Sequence, residues 1–273
     1  MKKWIFTAIL ILTVSALAAC GSEKSNAEGK ASKSIKLGAT AGPYSDMLSK
    51  AIKPLLEEKG YDIKIVEFSD YIQPNIALDK GDIDANLFQH TVYLKTFNKE
   101  NHMKLTGLLT VPTAPMGIYS NKYKSLKDIK DGTTIALPND PVNAARAFNI
   151  LRDEGLIEID KNADPLTISE KDVTSNKKKL SFKPLEAGQL PRAVDSVDLS
   201  AVPGNYALAA KMDLLSALAL ENMPDQYRNV VAVKEENKDN QLAKDLVEVV
   251  KSEEFEKTID KDFKGFGKPE WMK

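Results

Sequence analysis

Short runs of alternating apolar residues recur along the chain, each followed by a stretch of helical periodicity. This succession commits the sequence to an α/β architecture built from strand-helix-strand units. Ile35, Leu37 and Ala39 alternate, and Met47, Leu48, Ala51, Ile52, Leu55 and Leu56 then recur at helical spacing up to Gly60. Pro54 predicts a kink or a split in that helix, because proline removes a backbone donor and crowds the preceding turn. The segment 62–68 reads as the next strand, with Ile63 and Ile65 inward, and Pro74 opens a short helix ending at Gly81. A second set follows: strand 133–137, helix 141–154, strands 180–185 and 199–202, and helix 205–212. A strand over 229–233 and an amphipathic helix carrying Leu242, Leu246, Val249 and Val250 close the chain.

Leu105 to Ile118 is broken by Pro112 and Pro115 and reads as a crossover between two lobes. A final strand and helix that return to the first sheet would make the chain cross twice. The expectation is a two-lobe α/β fold with a ligand cleft between the lobes and a hinge at two crossovers. Lobe I is assigned to 35–112 plus 229–273 and lobe II to 113–228. Within lobe II, 160–179 is polar and lysine-rich and reads as a surface excursion.

The N-terminus carries Met1-Lys2-Lys3, then a sixteen-residue, mostly apolar stretch from Trp4 to Ala19, then Cys20, the only cysteine in the sequence. The apolar run is shorter than the roughly 20 residues of a spanning helix and has the layout of a cleaved signal peptide over 1–19. The small residues Leu17-Ala18-Ala19 before Cys20 resemble a bacterial lipobox. Cys20 is therefore expected to become the first mature residue and to carry a diacylglyceryl group, with further acylation (palmitate) completing a stable membrane anchor. The segment 20–34, nearly devoid of apolar side chains after the cysteine, reads as a flexible tether. The expected location is the cell membrane, lipid-anchored and facing outside the cytoplasm.

Composition excludes several classes. Lysine plus arginine total 38 and aspartate plus glutamate 39, so losing Lys2 and Lys3 leaves 36 against 39, a mature charge near −3. No basic field is available for nucleic acid. The sequence contains no HExxH, no Walker A loop and no G-x-S-x-G elbow, and Gly265 to Gly267 lacks the third glycine of a dinucleotide fingerprint. Only His90 and His102 are present, without acidic partners at ligand spacing. No enzyme activity, cofactor or metal is expected, and the chain reads as a monomer.

Recognition chemistry is better represented. Four arginines, Arg146, Arg152, Arg192 and Arg228, stand among the 38 basic residues. Arg146 follows Pro138-Asn139-Asp140-Pro141-Val142-Asn143, a strand-to-helix turn where amides and the helix dipole favour an anion. It reads as a carboxylate ligand or as a surface arginine paired to an acidic side chain. Tyr71, Phe88, His90 and Tyr93 read as a pocket wall or as plain core packing, with His90 a structural histidine in the second case. Asn205 and Asn229 offer amide oxygens to an ammonium, or serve as turn and cap residues.

Three segments, YIQPNIALDKGDIDANLFQH, KSLKDIKDGTTIALPNDPVNAARA and LEAGQLPRAVDSVDLSAVPGNYAL, resemble the NlpA/MetQ family of methionine-binding lipoproteins of bacterial ABC importers. The likeness extends from Ile35 to the C-terminus. It implies two α/β lobes that hold methionine between them, the L form with the D form left open, for delivery to a membrane permease driven by an ATPase. It also implies residue roles: Tyr71, Phe88, His90 and Tyr93 around the thioether side chain, Arg146 on the carboxylate, and Asn205 and Asn229 on the remaining backbone polar groups. Another amino acid, a methionine-containing dipeptide, or a surface adhesin remain alternative readings.

Overall fold

A computed structural model describes residues 33–272. The signal peptide, Cys20 and nearly all of the tether lie outside the described residues. Strand β1 (Lys33–Thr40) pairs in parallel with β2 (Tyr61–Phe68), Lys33 opposite Tyr61 through Thr40 opposite Phe68. Between them run helix Pro43–Met47, a π-helical turn Leu48–Ile52 and helix Lys53–Glu58. The kink expected at Pro54 takes the form of this wider turn. The Lys53 N–H bonds to the Leu48 carbonyl five residues back, so the coil opens just where the proline ring would collide with a carbonyl. The apolar face runs on without a break, and Met47, Leu48, Ile52 and Leu56 are all fully buried.

Helix Gln73–Lys80 ends on Gly81, whose φ of 81° is the left-handed conformation that closes a helix with least strain in glycine. It leads into β3 (Ala85–His90), buried at every position, and helix Thr91–Asn101. β4 (Leu105–Thr110) follows, so the first half of the expected crossover is regular strand. The chain crosses over only 111–116 to β5 (Gly117–Tyr119).

The second sheet contains β5, β6 (Thr134–Pro138), β9 (Ser181–Leu185), β10 (Leu199–Val202) and β11 (Ala219–Leu220) in the order β11-β5-β10-β6-β9. Pro184 is tolerated because β9 lies at the edge. The polar excursion carries a small ribbon of β7 (Glu158–Ile159) with β8 (Val173–Ser175). β12 (Asn229–Lys234) returns to the first sheet, whose order is β2-β1-β3-β12-β4, and runs antiparallel to both its neighbours.

One expectation fails at the end of the chain. Helix Gln241–Val250 does not close it, because a second helix, Glu253–Asp262, follows and buries Phe255 and Ile259 in the first core. Beyond it the chain reaches the two crossing segments. Thr113 and Gly267 exchange backbone hydrogen bonds of 3.1 and 2.9 Å, and Trp271 Nε1 donates to the Thr110 carbonyl at 2.9 Å. The crossings are also bonded to each other: Val111 N–H donates to the Asn229 carbonyl at 2.7 Å and Asn229 N–H to Thr113 Oγ1 at 2.8 Å. Among the described residues no helix is long and apolar enough to cross a membrane.

Candidate ligand-binding site

Helix Pro141–Asp153 begins where β6 ends, and its first turn organises the site. Asp140 is the N-cap and accepts from the Asn143 N–H at 2.9 Å, while Pro141 occupies the first helical position, where its missing donor costs nothing. Asn143 and Arg146, three residues apart, therefore share one face. That face turns inward: Asn143 is 3 % exposed and Arg146 5 %.

A buried arginine needs a counter-charge, and it finds one in Glu221. Arg146 Nε donates to Oε1 at 2.8 Å and Nη2 to Oε2 at 2.6 Å, a bidentate pair, while Nη1 donates to Asn143 Oδ1 at 2.9 Å. Burial alone would lower the Arg146 pKa, but the charge and hydrogen bonds of Glu221 outweigh it and hold the guanidinium more basic than usual. The guanidinium also stands 5.4 Å over the Tyr227 ring. Arg146 is thus paired to an acidic side chain, as one of its two sequence readings has it, and it also faces a cavity. The paired form differs from expectation only in being buried.

The cavity is lined by Tyr44, Tyr71, Phe88, Gln89, His90, Tyr93, Thr113, Ala114, Asn143, Arg146, Gly204, Asn205 and Asn229. All seven residues singled out from the sequence meet there. Tyr71, Phe88 and Tyr93 pack on one another with ring centroids 5.9 to 6.2 Å apart, forming one wall. Burial pushes the Tyr71 and Tyr93 hydroxyls well above the usual phenol range, so both remain neutral. Tyr71 Oη donates to Asn205 Oδ1 at 2.6 Å. Asn229 Nδ2 donates to the Phe88 carbonyl at 2.9 Å, so its amide oxygen is the atom left for a ligand.

His90 caps helix Thr91–Asn101. Its Nδ1 accepts the Tyr93 N–H at 3.1 Å, which puts the ring proton on Nε2, and Nε2 stands 3.3 Å from Asn143 Oδ1 as donor. Both nitrogens are therefore occupied, and His90 is not free to act as a general base. Burial and the nearby Arg146 charge lower its pKa well below 6.5. A folded-state pKa below the unfolded one means that His90 contributes full stability above about pH 6.5 and loses it as the pH falls. His90→Gln is expected to flatten the pH dependence of stability in that acidic range, where the wild type loses up to ~1.4 kcal/mol per pH unit from this group. Denaturant titrations of both proteins at pH 7 and below 6 measure the difference, and parallel losses would refute the assignment.

Sequence reasoning missed Tyr44, Gln89, Thr113, Ala114, Asn143 and Gly204 among the lining residues, and also Glu221, which pairs with Arg146. The adjacent Asp140-Pro141 cap signal marks Asn143 in retrospect. Gly204 is fixed by space, since a Cβ there would lie 2.4 Å from the Pro115 carbonyl oxygen. Gln89 is held by a buried amide cluster in which its Nε2 donates to Asn75 Oδ1 at 2.6 Å. Among the described residues there is no cluster of three or more potential metal ligands. The chamber thus offers a fixed cation, amide oxygens and an aromatic wall, the complement of a small molecule with a carboxylate, a donor and an apolar tail.

The NlpA lipoprotein family profile matches residues 35–271. A methionine-binding lipoprotein MetQ of Bacillus subtilis is 37 % identical over 272 residues, covering 97 % of each chain. A D-methionine-binding lipoprotein MetQ of Escherichia coli is 35 % identical, covering 94 % of this chain and 93 % of that one. Among solved structures, a nutrient binding protein from Burkholderia cenocepacia bound to methionine superposes with a TM-score of 0.80 at 40 % identity, covering 85 % of this chain and 97 % of that one. With the match spanning both sheets and every cavity-lining residue, the chain belongs to the NlpA lipoprotein family.

Proposed function

We propose that this protein is the lipid-anchored binding component of an ABC importer, capturing methionine and handing it to a membrane permease coupled to an ATPase. The observation that carries the reading is the one pocket lined by both Arg146 and the Tyr71, Phe88 and Tyr93 rings. In a pose consistent with it, the ligand carboxylate meets the free edge of Arg146, the ammonium is held by the amide oxygens of Asn205 and Asn229, and the thioether rests on the rings. The role is binding rather than catalysis.

The cavity lies between the proposed lobes 35–112 plus 229–273 and 113–228. Hydrogen bonds joining those parts around the cavity include Tyr71 to Asn205, His90 to Asn143, and Tyr206 Oη to the Ser69 carbonyl at 3.1 Å. They suit a closed arrangement favoured by ligand, which a permease can tell from an open one. X-ray scattering is expected to show compaction when methionine is added to protein stripped by unfolding and refolding. An unchanged radius of gyration would refute hinge closure.

The direct test is calorimetry of stripped protein against L-methionine, D-methionine, other amino acids and methionine-containing dipeptides, with methionine expected to bind most tightly. Asn229→Ala is expected to lower methionine affinity about ten- to a hundredfold, since a hydrogen bond to a charged group contributes about 1.5–3 kcal/mol. It is also expected to lower the ligand-free melting temperature by a few degrees, because the Phe88 carbonyl loses the donor that the amide supplies. Undiminished affinity would remove Asn229 from the ligand pose.

A further inference from the structure

Glu221 does not line the ligand chamber. It holds the Arg146 guanidinium from outside that lining, through Nε and Nη2, and its Oε2 also accepts the Met116 N–H at 3.1 Å. Its side chain is 4 % exposed, and its outer flank borders a separate surface cleft with Asn149, Arg152 and Tyr227. The site's one fixed cation therefore has a full counter-charge before any ligand enters. The other nearby carboxylate, Asp140, already caps its helix and accepts from the Asn143 side chain at 3.0 and 3.1 Å.

This arrangement bears on the class of ligand admitted. An arginine alone in a desolvated chamber would attract any carboxylate of the right shape. Once it is paired, a simple anion brings an uncompensated negative charge into a low-dielectric space, whereas a zwitterion brings none. The ammonium of a zwitterion also gains from the carboxylate paired with the arginine. We propose that Glu221 is a specificity-determining residue: by neutralising Arg146 it makes the chamber select zwitterionic amino acids over simple anions of the same shape. The inference rests on the proposed methionine site and names what sets its selectivity.

The test compares affinities for methionine and its des-amino analogue, the same carboxylate and thioether without the ammonium, by calorimetry on the wild type and three variants. Glu221→Gln removes the charge at nearly constant shape. Glu221→Ala removes it while opening the position to water from the adjoining cleft, so that stranded donors are hydrated. Glu221→Asp keeps the charge and disturbs the geometry. In both neutral variants the preference for methionine over the analogue is expected to fall about tenfold or more, the effect of a unit charge acting through a second layer of side chains. In Glu221→Asp both ligands are expected to weaken together, leaving the ratio near that of the wild type. A merely structural Glu221 would weaken both ligands equally in every variant, and an unchanged ratio in the neutral variants overturns the proposal. It is equally overturned if Glu221→Asp shifts the ratio as far as they do, or if circular dichroism shows that neither neutral variant folds. A wild type that fails to bind methionine would instead refute the functional reading, whatever the variants do.

Discussion

Arg146→Ala is expected to lower methionine affinity by at least about a hundredfold and also to destabilise the empty protein. The two effects have one origin. The substitution removes the partner of Glu221 and leaves a carboxylate whose side chain is 4 % exposed without its counter-charge. Breaking a buried pair from one side costs about 3–5 kcal/mol, most of it the penalty for the stranded charge. The ligand carboxylate loses its donor in the same step. Arg146→Lys keeps a charge but supplies one ammonium where the guanidinium serves Glu221 through two nitrogens and Asn143 through a third, so it is expected to recover only part of either property. Replacing both Arg146 and Glu221 with methionine separates the effects. Stability is expected to return, since well-packed apolar substitutes for a buried pair are often neutral or better, while binding stays lost. A melting curve and a titration on each variant decide the matter, and an affinity within about threefold of the wild type for Arg146→Ala would place the carboxylate elsewhere.

Cys20→Ala is expected to move the protein essentially completely from the membrane to the soluble fraction with methionine affinity unchanged. The proposed anchor is one acylated residue, with each buried methylene contributing about 0.8 kcal/mol. Every residue lining the cavity lies at or beyond Tyr44, so the anchor and the site share no atoms. Fractionation with a mass measurement checks both halves, because an uncleaved signal would also retain the protein. A processed Cys20→Ala chain still on the membrane would refute the lipobox reading.

Most of the framework was legible because periodicity is a local property. The strand anticipated at 199–202 is β10, and those at 62–68, 133–137, 180–185 and 229–233 differ by no more than a residue at either end, whereas β3, β4, β5 and β11 were not anticipated as strands. Helix Glu253–Asp262 escaped notice because only Phe255 and Ile259 are buried in ten mostly charged residues, too sparse a stripe to stand out from a polar tail. The site divides the same way. Tyr71, Phe88, His90 and Tyr93 fall within one short stretch, and Arg146 follows a recognisable cap. Their functional grouping nevertheless came from family resemblance, since spacing alone left core packing open. Glu221 was not legible at all. It lies 75 residues from Arg146, in a loop without periodicity, and only the folded chain brings the two side chains together.

The position of β12 has a consequence for how the chain reaches this state. The strand stands between β3 and β4, yet more than a hundred residues and the entire second sheet separate it from them in sequence. Until β12 has been made and threaded home, β3 and β4 have no partner for their facing edges, and unpaired edges invite pairing with other chains. Native pairing there is long-range and accordingly slow. The nascent first sheet is thus a three-strand fragment with a missing neighbour, and a chain truncated anywhere before Asn229 would be expected to aggregate instead of yielding a soluble half-protein.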